Sequence, residues 1–156
     1  MSRRRRCAVV VAMLTAAAPL AGCFSDAERA ADKQLDSSER QLQCSDQATP
    51  VTGSYPDRVP ARLPLPGGTT VYRIEDRGKD GVVLSAVSKT PFKDVLAFMT
   101  SDFVAAGFAI THGETEKHDA EANWVSTGYR GRWAIREITA QCPGDTLISV
   151  LTTKRS

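Results

Sequence analysis

The stretch that decides the fold is residues 69–107, TTVYRIEDRGKDGVVLSAVSKTPFKDVLAFMTSDFVAAG. In residues 69–75, successive side chains alternate between the two faces of an extended chain, which predicts a β-strand. A turn rich in Gly and Asp follows, and the run 82–88 after it is apolar on both faces. That pattern is typical of an interior strand, so the two strands are predicted to form a hairpin.

The second half of the same stretch predicts an amphipathic helix that begins at Thr90-Pro91 and ends at Gly107. Thr is a good helix-capping residue, Pro is favoured at the first helical position, and Gly readily adopts the left-handed conformation that ends a helix. The apolar face at helical spacing consists of Phe92, Val95, Leu96, Met99, Phe103 and Ala106. A face of this width indicates packing against a core rather than binding of a ligand.

Shorter strands separated by turns are predicted between residues 108 and 153, with a charged loop over 112–119. The fold class is therefore α+β, a two-layer sandwich with one amphipathic helix on a mainly antiparallel sheet in the order β-β-α-β-β-β. The whole chain has 156 residues, which is enough for one domain. We place that globular domain at residues 57–156.

The start of the chain predicts export. Four arginines at 3–6 precede an uncharged run, 7–20, which is shorter than the roughly 20 residues that span a bilayer. Leu20-Ala21-Gly22-Cys23 then resembles the lipobox of bacterial lipoproteins. The resemblance implies that 1–22 is a signal peptide, that cleavage precedes Cys23, and that the Cys23 thiol carries a lipid. The arginine run also resembles a twin-arginine export signal without its following apolar pair, so the export route stays open.

The charge of the chain belongs mostly to that leader. The formal net charge is +2, but without the four leader arginines 16 basic residues face 18 acidic ones, a net charge of −2. This balance argues against a nucleic-acid-binding protein. Residues 24–43 are polar and contain no Gly or Pro, so we interpret 23–56 as a lipid-anchored polar stalk and linker. A partner-binding helix in 24–43 is the alternative.

Two cysteines, Cys44 and Cys142, remain after the leader and the lipidation site. An even number of cysteines in an exported protein predicts one structural disulfide between these two residues. Residues 60–153, with their lead-in LPLPG at 63–67, are also similar to small domains of exported bacterial lipoproteins. That resemblance supports the fold and implies no activity.

The candidate functional residues are few. Tyr129, Arg130 and Arg132 surround a predicted turn, where aromatic and arginine side chains suit a protein or polymer surface. His112 and His118 suggest a metal site as an alternative, although a solvated loop is the simpler interpretation. No serine-hydrolase elbow and no phosphate-binding loop is present in the sequence.

These observations predict a lipoprotein of the cell membrane, anchored on its extracytoplasmic face through lipid on Cys23. We expect a non-catalytic binding module that contacts an envelope protein or polymer, with no cofactor, no metal and no nucleic acid. The alternative is a carrier of a small ligand or a metal ion.

Overall fold

The computed structural model describes the backbone of residues 26–155 and the side chains of residues 33–155. Cys23 and the predicted signal peptide lie outside the described residues. The elements, in chain order, are α1 (Asp26–Glu39), β1 (Thr69–Asp76), a 3-10 turn (Gly78–Asp80), β2 (Val82–Ser88), α2 (Phe92–Thr100), α3 (Asp102–Ala105), β3 (Ala109–Thr115), β4 (Asp119–Ser126), β5 (Tyr129–Glu137) and β6 (Thr146–Lys154).

All six strands form one antiparallel sheet in the order β1-β2-β6-β5-β4-β3. The predicted α+β class and its antiparallel sheet are confirmed. The predicted element order is wrong, because four strands rather than three follow the central helical segment, and α1 precedes the sheet. Part of the predicted charged loop belongs to β3, an edge strand whose largely exposed side chains carry no apolar alternation.

Helices α2 and α3 cover the first face of the sheet, as the sequence pattern predicts. Val95, Met99 and Phe103 are completely buried in the main core. The predicted single helix is interrupted at Ser101, which separates α2 from α3. Gly107 comes after the end of α3 and has a φ of 94°. Ala106 is exposed, since the chain has already left the helix there. The N-cap is Pro91, so Thr90 does not cap the helix; its hydroxyl donates to the Gly67 carbonyl oxygen instead.

An aromatic cluster lies on this first face of the sheet, against strands β4 and β5. The ring centroids of Phe103 and Phe108 are 4.8 Å apart, and that of Phe108 is 5.2 Å from Trp124. Gly131 pairs with Trp124 across the sheet. A Cβ at Gly131 would collide with the Trp124 ring and with the Leu151 carbonyl oxygen, so only glycine fits.

Helix α1 packs on the second face of the sheet. Leu35 is buried beside Tyr72, and the Ser38 hydroxyl lies 2.9 Å from the Ser85 hydroxyl and 3.1 Å from that of Ser149. The sheet therefore has helices on both faces, whereas the sequence predicted two layers. The end of α1 packs on the sheet, whereas the sequence predicts a polar stalk there. The interface is built largely from Gln and Ser side chains, so it lacks an apolar signature in the sequence.

The segment between α1 and β1 lies along the domain and is held by a disulfide. Cys44 and Cys142 are bonded, with their Cα atoms 5.4 Å apart, and this confirms the predicted pair. The proline-rich part places Val59 in the main core. Within residues 26–155, no helix combines the length and the apolar character that crossing a membrane requires.

Candidate binding hollow

The strand register separates the three residues that the sequence grouped as an interaction surface. Alternate residues of a strand point to opposite faces of a sheet, so Arg130 and Arg132 of β5 share the second face. Tyr129 instead packs against the first-face core, and its hydroxyl donates to the Asp57 carbonyl oxygen at 3.2 Å. Trp133, at the end of the same motif, is buried. The structure therefore brings the two arginines together and places the tyrosine elsewhere.

The arginines line a depression on the second face, which we call the basic hollow. Register places Leu151, Arg132 and Asn123 in one row across three strands. The next row contains Thr153 and Arg130. The hollow has a volume of about 410 Å³, within the range of small-ligand sites. The described residues that line it are Gln34, Thr111, Asn123, Trp124, Val125, Arg130, Gly131, Arg132, Leu151 and Thr153.

Buried hydrogen-bonding groups distinguish this hollow. Arg132 is only 8% exposed, and its Nε donates to Asn123 Oδ1 at 3.0 Å, which fixes the guanidinium against the sheet. Gln34 is 3% exposed, and its amide nitrogen has no hydrogen-bond partner. A buried polar group without a partner costs roughly 1–3 kcal/mol, so such a group is unusual in a folded protein.

Comparisons of the chain with protein-family models, with curated proteins and with solved structures found no match.

Helix α1 positions Gln34 through the contacts of its last turns. Ser38, one turn further along the helix, is held by the serines of β2 and β6. The Tyr72 hydroxyl donates to the Ser38 carbonyl oxygen at 3.2 Å, and burial raises the pKa of Tyr72 to about 12. Arg136 binds the Glu39 carboxylate at 2.9 Å. Gln34 therefore sits on a helix that is fixed at its carboxyl end.

The two histidines that the sequence suggested as metal ligands lie in different surroundings. His112 is in β3, paired with Asn123, whereas His118 lies in the β3–β4 turn. His118 Nδ1 and Glu137 Oε2 share a hydrogen bond of 2.6 Å, which holds the pKa of Glu137 below its usual 4.5. In the described part of the chain, neither histidine belongs to a group of three potential metal ligands.

One such group does occur at residues 44, 142 and 145, but its chemistry does not suit a metal. Both sulfur atoms belong to the disulfide and are no longer thiolates. Asp145 accepts hydrogen bonds from the Ser45 backbone nitrogen and hydroxyl, both at 2.7 Å. The carboxylate therefore ties the disulfide loops together.

Two other depressions lack comparable buried donors. One, of about 550 Å³, lies beside the disulfide and contains the satisfied Asp145. The other, of about 610 Å³, lies around Tyr55 and Tyr129. Its Lys154 and Asp57 pair at 2.7 Å, which lowers the pKa of Asp57 and raises that of Lys154. Their charged groups are thus engaged with each other, and of these three depressions of the described residues the basic hollow is the strongest candidate site.

Sequence reasoning identified the two arginines of the hollow and missed its other polar residues. The sequence grouped Arg130 and Arg132 with Tyr129 around a turn, whereas β5 begins at Tyr129 and its period of two places only the two arginines on one face. Thr153 and Asn123 join them only through the pairing of β5 with β6 and β4. Gln34 comes from a helix whose docking depends on buried serines, and no local pattern in the sequence reveals that docking.

Proposed function

We propose that this chain is a lipid-anchored, extracytoplasmic binding protein that works without catalysis through the basic hollow. The observation that carries the proposal is the side-by-side placement of Arg130, Arg132 and the unpartnered Gln34 amide around one depression. The described lining offers permanent charges and hydrogen bonds, and no side chain that titrates near neutral pH. This composition supports binding over acid–base chemistry.

The proposed location draws on the sequence and on the disulfide. The lipobox-like residues 20–23 place a lipid attachment site shortly before α1. A disulfide between Cys44 and Cys142 suits an oxidising compartment outside the cytoplasm. Two acyl chains or more would hold the protein stably in the membrane. Among the functions that the sequence left open, the hollow favours binding of a ligand, because the residues of the predicted contact surface lie on two faces.

The anchoring is tested in a bacterial host by metabolic labelling with a clickable fatty acid and by membrane fractionation. We expect the wild-type full chain to take up the label and to sediment with membranes. The Cys23→Ala full chain should lose the label, and a Cys23→Ser variant should behave in the same way. Equal labelling and equal membrane association of wild type and Cys23→Ala would contradict the proposed anchor.

The binding role is tested by chemical crosslinking in intact cells followed by mass spectrometry. The Arg130→Gln variant alters the hollow, and Lys93→Gln makes the same charge change on α2, across the sheet. We expect crosslinks, to small molecules or to envelope components, that Arg130→Gln removes and Lys93→Gln retains. Crosslinks that survive Arg130→Gln unchanged would place binding outside the hollow.

A further inference from the structure

We infer that the basic hollow binds an oxyanion, a carboxylate or phosphate group carried by a small molecule or a lipid headgroup. This inference rests on the proposed function and specifies the ligand that its site takes. Three features of the described residues support it: a fixed buried cation, an exposed cation at the same depression, and a buried amide donor without a partner.

The cations have the geometry that oxyanions need. A guanidinium presents several N–H groups in one plane, which suits two oxygens of a carboxylate or phosphate. Arg132 donates through Nε to Asn123 Oδ1, which holds the side chain against the sheet. Arg130 precedes Arg132 by two residues in β5, is exposed, and has no ion pair within residues 33–155.

The Gln34 amide indicates where the group would bind. Gln34 lines the hollow, and its Nε2 is buried beneath the surface and lacks an acceptor. A ligand oxygen that reaches this amide after a small shift of the side chain would satisfy the donor, and hydrogen bonds to charged groups are stronger than those between neutral groups. The hydroxyls of Thr111 and Thr153 border the same space. An anion therefore satisfies a group that the protein leaves unsatisfied.

The lining also disfavours other ligand classes. No Asp or Glu lines the hollow among the described residues, so a metal ion or an amine would meet only positive charge and neutral groups. Leu151, Val125 and Trp124 contribute apolar surface to the lining, beside the two arginines. The volume of about 410 Å³ accommodates one small head group rather than a long apolar chain.

The experiment titrates inorganic phosphate, and separately acetate, into the full chain carrying Cys23→Ala. Binding is followed by calorimetry and by the phosphorus NMR line width. We expect saturable binding that Arg130→Gln weakens about fivefold or more and that Gln34→Leu weakens about tenfold. Lys93→Gln, with the same loss of charge on the opposite side of the sheet, should leave the affinity unchanged.

A folding control accompanies each variant. Gln34→Leu removes an unsatisfied buried amide, so its melting temperature should stay the same or rise while phosphate binding falls. A merely structural role for Gln34 would not separate stability from binding in this way. Absence of saturable binding of both anions to the parent chain, or equal weakening by Lys93→Gln, would overturn the inference.

The source of the oxyanion is separated by adding vesicles to the phosphate titration. Vesicles of phosphatidylglycerol that compete with phosphate, where phosphatidylcholine vesicles do not, would identify a lipid headgroup as the ligand. Binding of phosphate that neither vesicle affects would identify a free anion. Both results support an oxyanion site. Because the titration uses a chain without the lipidated cysteine, its failure is distinct from a failure of the proposed anchor.

Discussion

Removal of the Cys44–Cys142 disulfide should destabilise the domain by an amount that follows from its position. The bond joins residues 98 apart in sequence, so it closes most of the sheet into one loop. On the chain-entropy model, releasing a loop of that length costs about 4.7 kcal/mol at 25 °C. Domains of this size have total stabilities of only about 5–15 kcal/mol, so the reduced protein should be close to unfolding.

The perturbation is the double variant Cys44→Ala with Cys142→Ala, in a background where Cys7 and Cys23 are also Ala. Unfolding in urea is followed by circular dichroism. With a denaturant slope of about 1.5 kcal/mol/M, the midpoint should fall by roughly 3 M. Cys142 is itself buried in the second-face core, so lost packing adds to the effect.

Reductant provides the matched control for this experiment. It should lower the midpoint of the background protein by nearly the same amount and leave the double variant unchanged. A fall of less than about 0.5 M on reduction, with free thiols verified, would refute the loop-entropy reasoning. An equal response of the double variant to reductant would show that the effect does not come from this bond.

Three further predictions concern single side chains. Gly131→Ala should cost about 1–3 kcal/mol in urea unfolding because its Cβ meets the aromatic cluster, whereas Gly67→Ala, with open space around it, should be neutral or slightly stabilising. Met99→Ala should cost about 2–5 kcal/mol, and the exposed Val104→Ala nearly nothing; equal effects would refute the assigned helix face. Tyr72 has a pKa of about 12 when folded and 10.0 as the reference for the unfolded chain. As the pH rises, Tyr72 therefore loses its proton in the unfolded state first. The free energy of unfolding should fall by at most about 3 kcal/mol between pH 10 and 12. Melting curves measured over this pH range should show a smaller decline for Tyr72→Phe.

The parts of the fold that the sequence predicted are those with a local signal. Strand β2 is apolar on both faces, and all seven of its residues are buried. The α2–α3 stripe repeats at helical spacing and packs as predicted, from Phe92 to Phe103. Periodicity works in these segments because the side chains that face the core are apolar and those that face solvent are not.

The parts that the sequence missed depend on contacts between distant segments. Strand β3 is a sheet edge with largely exposed side chains, so Gly113 and its charged neighbours resembled a loop. Helix α1 packs on the sheet through serines and Gln34. In a helical sequence pattern, such polar residues indicate the solvent-facing side. The basic hollow needs both of these segments and the pairing of β5 with β6. Its two arginines were predictable, and its buried amide was not.

The place of β6 in the sheet has a consequence for how the polypeptide matures. This strand follows the other five in the chain, yet it lies between β2 and β5 and provides the pairing that connects the β1–β2 hairpin to β3–β5. The hairpins can form as soon as their own residues are available, because they need only local contacts. The complete sheet must wait for residues 146–154. During synthesis, the sheet therefore remains in two unconnected parts until that segment is available, so the last strand made is the one that completes the domain.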